Sequence, residues 1–192
     1  MKWIDYYSAA ARQSSGGDLN VAAAPGTATP SRLTIQSAVA TRNTAAALRT
    51  VAAGRLAALA ALPGVEPVVC HSDLHTLNII DGGDSLMLLD WEYAHVADPL
   101  WDFAGWSANN DLEDELRGEL LASYAGRPPT RNEYLRLRLL SWLYDYICLL
   151  WSDLYLNLHR DRRPDVAVQR DVPVDGVAAR AQLLAARLDA SK

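Results

Sequence analysis

Large apolar side chains are spread unevenly along the chain, and their spacing divides it into helical and extended parts. Residues 1–13 carry the pattern of a short helix, whereas Ser14 to Ser31 is rich in Ser, Gly, Ala, Pro and Thr and reads as a loop or linker. From Thr34 to Leu62 alanine dominates, with Leu48, Val51, Leu56 and Leu59 at near-helical spacing until Pro63-Gly64 stops the pattern. That stretch predicts one long helix. The period then changes. Val68-Val69-Cys70 predicts a short strand, and Asn78-Ile79-Ile80 with Leu86-Met87-Leu88-Leu89 predicts a hairpin joined by the turn residues Asp81-Gly82-Gly83-Asp84. Beyond Pro99 helical spacing returns over Leu100–Ala108, Leu112–Tyr124, Arg131–Leu158 and Val174–Leu188, with Gly126-Arg127-Pro128-Pro129 as a break. The expected fold class is mainly α with a small β-hairpin (α+β), without internal repeats.

Size and charge narrow the picture. The 192 residues, half of them hydrophobic, suffice for one domain with a real core and are too few for two full-sized ones. Arginine outnumbers lysine sixteen to two, yet the net charge is -5, which argues against a general nucleic-acid or anionic-membrane binder. Cys70 and Cys148 cannot form a disulfide framework, and the opening MKWIDYYSAAARQ lacks the apolar stretch of a secretory signal, so a reducing cytoplasm is expected. Apolar runs such as Ile147–Trp151 stop far short of the roughly 20 residues that a membrane span requires.

The chemistry is concentrated in CHSDLHTLNIIDGGDSLMLLDWEYAHVADPLWDFA, residues 70–104. Here His71-x-Asp73 is followed after four residues by Asn78, and then by a hairpin whose second strand ends at Asp90. Phosphoryl transfer needs a carboxylate that positions an acceptor hydroxyl and takes its proton, and hard oxygen ligands that hold magnesium on the triphosphate. Asp73 suits the first task; Asn78 with Asp90 suits the second. A tight loop from Asp73 to Asn78 presents both side chains to one cleft, and the hairpin returns Asp90 at the end of the neighbouring strand.

Competing readings exist for the same residues. Asp and Asn often serve only as turn and cap formers. His71-x-Asp73-x-His75, with His95 nearby, also has the ligand types of a zinc metallohydrolase, although that leaves Asn78 and Asp90 unexplained. Cys70 reads as a small buried residue at a strand end, and the His159–Arg163 cluster as a solvated helix end. Among the aromatic residues between Arg131 and Leu158, Trp142 and Tyr146 are four apart and share a helical face with Asp145 close by. Such a wall can hold an organic cation, but aromatic stripes on helices more often pack a core.

The motifs HSDLHTLN (71–78), LLDWEY (88–93) and DPLWDFA (98–104) resemble those of the aminoglycoside phosphotransferase and choline kinase superfamily, which includes thiamine kinases and has a protein-kinase-like fold. The resemblance implies Asp73 as catalytic base, Asn78 and Asp90 as magnesium ligands, and His71 as an organiser of the loop. It further implies that Asp98 and Asp102 brace that loop and that Glu92 approaches the substrate. ATP and Mg2+ are the implied cofactors, and the acceptor is a small, cationic alcohol of the choline, thiamine or aminoglycoside kind. Ala97 stands where the family commonly has Gly.

The likeness runs from about Val65 to Leu158 and corresponds to the C-terminal lobe of the fold. Lys2 and Lys192 are the only lysines, and Ser14-Ser15-Gly16-Gly17 has no strand before it, so the N-terminal β lobe is expected to be missing or reduced. The expected organisation is an N-terminal segment and linker over 1–33 and a kinase-like lobe over 34–192. Within that lobe, 68–104 forms the catalytic loop and metal hairpin, and 105–192 the helical substrate subdomain. Two further expectations follow from the reduced lobe: a catalytically silent binding module as the alternative function, and a second copy or partner chain that completes the site.

Overall fold

The structure, a computed structural model, describes residues 32–160 and 173–191. The predicted helix over 1–13, the linker after it with Ser14–Gly17, and the side chains of the His159–Arg163 cluster lie outside the described residues. Two helices, α1 (Arg32–Ala47) and α2 (Arg49–Ala60), precede strand β1 (Val68–Cys70). A 3-10 turn over Thr76–Asn78 leads into β2 (Ile79–Asp81), followed by β3 (Leu86–Leu88) and β4 (His95–Ala97). The rest is helical: α3 (Trp101–Asn109), α4 (Asp114–Ala125), α5 (Arg131–Arg160) and α6 (Val174–Ala190). Among the described residues no helix is long and apolar enough to cross a membrane.

These elements form two compact units. The first takes in residues 59–141 and the second residues 32–58, 142–160 and 173–191. In the first, Leu100 just before α3, Ala104 of α3, Leu121 of α4, and Leu137 and Leu140 of α5 make a buried cluster, flanked by Leu59, Trp101 and Phe103. Their spacing puts one apolar stripe of each helix inward, and removal of that area from water is the main stabilising contribution. The second unit packs α1 against α6, where Val177, Ala181, Leu184 and Leu188 form the buried stripe. α1 and α2 occupy the stretch predicted as one helix. They are interrupted only at Leu48, which is completely buried, and the i to i−4 bonds continue through it, from Leu48 N to the Thr44 carbonyl (3.0 Å) and from Ala52 N to the Leu48 carbonyl (2.9 Å).

The start of α5 has a local cause. Thr130 and Glu133 form a capping box: Glu133 accepts from the Thr130 main-chain N–H (2.7 Å) and hydroxyl (2.9 Å), and the Thr130 hydroxyl accepts from Glu133 N–H (3.3 Å). Arg127 adds two bonds to the same carboxylate, at 2.7 and 3.0 Å.

Each of the two sheets is a two-stranded antiparallel ribbon. β2 and β3 form the predicted hairpin, with Ile80 opposite Met87; Gly82 N–H donates to the Ser85 carbonyl, and Gly83 has φ +87°, which favours glycine. The other ribbon pairs β1 with β4, a strand that no sequence pattern predicts, in the register Val68 with Ala97, Val69 with Val96 and Cys70 with His95. That pairing joins the chain before the loop 71–78 to the chain after the β2–β3 hairpin, and so brings both candidate segments of the first unit to one place.

Candidate active site

Cys70, at the end of β1, is buried, and burial above all pushes its thiol pKa up. The chain then turns sharply through Ser72, whose φ of +70° lies in the left-handed region. Asp102, in the first turn of α3, holds this turn directly: its two carboxylate oxygens accept from His71 N–H (2.8 Å) and Ser72 N–H (2.7 Å). An anion accepting two main-chain N–H groups makes strong, charge-assisted bonds. Asn109, at the end of the same helix, donates to the Leu74 carbonyl at 3.2 Å.

His71 is buried, and its ring is fully engaged. Nε2 meets the Leu89 carbonyl at 2.6 Å; a carbonyl only accepts, so Nε2 carries the hydrogen and Nδ1 accepts from Asp73 N–H at 3.3 Å. The ring lies 4.8 Å from that of Trp91, which donates from Nε1 to the Leu88 carbonyl. His71 thus ties the loop carrying Asp73 to the segment leading to Asp90. Neither of its nitrogens retains a free lone pair, so it cannot ligate zinc in this tautomer.

Asp73 is about one-third exposed at its side chain, enough to meet a substrate. Asn78, buried, donates from Nδ2 to the Asp73 carbonyl at 2.9 Å and to its carboxylate at 3.4 Å, which leaves Asn78 Oδ1 as the acceptor still available. His75 caps the 3-10 turn through Nδ1, which accepts from Leu77 N–H at 3.2 Å; the hydrogen is therefore on Nε2, 3.5 Å from the Asp73 carboxylate. The His75 contact is the foremost reason that Asp73 is held below the usual carboxylate pKa range, against the opposing effect of burial. A carboxylate that stays ionised can accept a hydrogen bond from a hydroxyl.

Asp90 follows β3 in an exposed turn with φ +60°. Glu92 and Tyr93 come next, both exposed. The Tyr93 hydroxyl is pushed up in pKa by partial burial and then by Glu92, with smaller contributions from the charges of Asp73 and Asp90. Asp73 from the loop and Asp90 from the hairpin end thus both act, weakly, on the same phenol. Sequence reasoning passed over Tyr93, although it stands beside Glu92 in the same motif.

The remaining expected residues act elsewhere. Asp98 holds the loop through its main chain: its carbonyl accepts from the Cys70 thiol at 3.4 Å, while its carboxylate caps Leu100 N–H and pairs with Arg136 Nη1 at 2.5 Å. Arg136, buried and also bonded to the Pro63 carbonyl, was not foreseen. Trp142 and Tyr146 belong to the second unit. Their rings stack with centroids 5.6 Å apart, Tyr146 donates to the Ala45 carbonyl at 3.0 Å, and the guanidinium of Arg55 sits 5.3 Å from the Trp142 ring centroid. The cation on that aromatic face is therefore one of the chain's own. Asp145 beside them is paired with Arg187.

Among the described residues no three His, Cys, Asp or Glu side chains converge as a metal-ligand set, the arrangement that the metallohydrolase reading requires. The donors left for a metal are Asn78 Oδ1 and the Asp90 carboxylate. Both are hard oxygens, a donor chemistry that fits magnesium and not a soft metal.

A sequence profile described as the phosphotransferase enzyme family matches residues 19–140. Two LicA proteins of Haemophilus influenzae, one of them from strain Rd, are each 27% identical over 107 residues, which is 53% of this chain and 40% and 31% of the LicA chains. A crystal structure of a choline/ethanolamine kinase family protein from Mesorhizobium loti superposes with a TM-score of 0.59 at 23% identity, covering 88% of this chain and 55% of the other. That similarity bears on the fold. The chain spans less than half the length of the LicA proteins and about half that of the solved structure.

Proposed function

The chain belongs to the phosphotransferase enzyme family, and from that premise we propose that it transfers the γ-phosphoryl group of ATP to a hydroxyl of a small cationic alcohol of the choline, thiamine or aminocyclitol type. The observation that carries this reading is the contact of Asp73 with Asn78 inside one braced loop. Asp73 accepts the hydroxyl proton as the new P–O bond forms and the bond to ADP breaks. Asn78 and His75 keep its carboxylate aimed, and the depressed pKa keeps it ionised. Magnesium, held by Asn78 and Asp90, supplies charge neutralisation on the phosphates when bound. Glu92, beside Tyr93, offers the acceptor's cation an anionic contact. Trp142 and Tyr146 are proposed as an aromatic receptor within their own unit, where a ligand cation competes with Arg55. The matches span 31% to 55% of the neighbours' lengths, so the grip on ATP is proposed to be completed by protein beyond the described residues, on this or a partner chain. ATP as co-substrate accords with a cytoplasmic location.

The test incubates the chain with Mg-ATP and choline, thiamine or an aminocyclitol and follows ester formation by phosphorus NMR. Acceptor-dependent ester that Asp73→Asn abolishes is the expected result. Undiminished ester in that variant removes Asp73 from the role. The second reading is a silent binding module; calorimetry giving no heat with Mg-ATP but a clear heat with a quaternary-ammonium alcohol selects it.

A further inference from the structure

His95 lies on β4 opposite Cys70, with its side chain exposed. Its Nδ1 meets two oxygens, the Tyr93 carbonyl at 3.0 Å and the Ser72 hydroxyl at 2.9 Å. A carbonyl only accepts, so Nδ1 carries a hydrogen and donates to both, and Ser72 Oγ is the acceptor in that pair. Ser72 immediately precedes Asp73 and has φ +70°, a conformation that L side chains enter against a steric penalty and that Ser favours less than Gly, Asn or Asp. Two side chains over-determine it: Asp102 from the N–H and His95 from the hydroxyl.

We propose that His95 is a positioning residue, a clasp whose Nδ1–H holds Ser72 in its left-handed turn and ties it to the segment carrying Asp90 and Glu92, thereby fixing the direction in which Asp73 points. His95 acts through Ser72 and the Tyr93 carbonyl and touches no reacting atom. The kinetic consequence rests on the phosphotransferase reading; the geometric one does not need turnover.

The experiment compares His95→Phe and His95→Asn in the full chain, each alone and with Ser72→Gly. Phenylalanine keeps a ring and suits a strand, but has no donor; asparagine suits a strand poorly, but its amide places an N–H near the position of Nδ1. A role limited to packing β4 therefore favours Phe, and the clasp favours Asn. The first readout is amide exchange at Ser72 and Asp73. His95→Phe is expected to speed it roughly tenfold or more, with His95→Asn close to the parent chain. In the Ser72→Gly background the same His95→Phe change adds nothing, because the acceptor and the strain are both gone. The second readout is turnover: kcat falls roughly tenfold in His95→Phe while KM moves less, and His95→Asn restores it. Equal exchange in the two His95 variants, faster exchange in Asn than in Phe, or an undiminished effect of His95→Phe beside Ser72→Gly overturns the clasp. If the parent chain forms no phosphate ester, the functional reading fails by itself while the exchange comparison still decides the clasp.

Discussion

The side-chain amide of Asn78 donates to both the main-chain carbonyl and the carboxylate of Asp73, at 2.9 and 3.4 Å. One amide thus fixes the backbone and the charge of its neighbour while its own oxygen is turned away. The two residues behave as a unit, and under the proposed function the carboxylate serves the acceptor and the remaining amide oxygen a cation.

Asp73→Asn keeps the size of the side chain and removes the proton acceptor. The expected loss is about 10²–10⁴-fold in kcat, with the thermal unfolding midpoint nearly unchanged because the side chain is partly exposed. Steady-state kinetics alongside calorimetric melting checks both halves.

Asp102 presents two oxygens to two N–H groups, and asparagine offers only one. Asp102→Asn is expected to cost about 2 kcal/mol in a urea titration, since one buried donor of the turn loses its charged partner. A stability equal to that of the parent chain contradicts the proposed brace.

Arg136 and Asp98 form a largely buried ion pair. Arg136→Leu strands the carboxylate and should destabilise by about 3–5 kcal/mol, whereas adding Asp98→Asn recovers part of that loss because no uncompensated charge is left inside. Urea unfolding of the two single variants and the double variant makes the comparison, and strict additivity refutes it.

Glu133 is held down to about 2 from an ordinary value near 4.5, with its bond to Arg127 first among the causes. A depressed carboxylate pKa means stabilisation that is complete above the ordinary value and is lost as pH falls through the depressed one. The capping box therefore weakens between about pH 4.5 and 2, and Glu133→Gln should flatten the unfolding midpoint across that window. An unchanged pH dependence in the variant sinks this assignment.

Local signals carried much of the fold. Apolar spacing and the Pro and Gly breaks located α3 to α6, and Asp-Gly-Gly-Asp located the hairpin turn. Leu48 fits the helical stripe on either side of it, so nothing marked the interruption between α1 and α2. β4 was invisible because its three residues carry no period and become a strand only by pairing with β1. The site divides in the same manner. Asp73 and Asn78 are neighbours through one short loop, which spacing alone suggests. The partners of Ser72 and Asp98, by contrast, are His95 and Arg136, 23 and 38 residues away in the chain, and folding alone brings them together. Likewise, an i, i+4 spacing placed Trp142 and Tyr146 on one face, but not Arg55 over it.

Asp90 has φ +60°, a region that aspartate and asparagine enter more readily than alanine. An alanine scan at this position therefore confounds a backbone penalty with the missing carboxylate and exaggerates the importance of the negative charge. Asparagine isolates the charge, whereas alanine and glycine both lack the carboxylate, so the difference between those two isolates the torsion at residue 90.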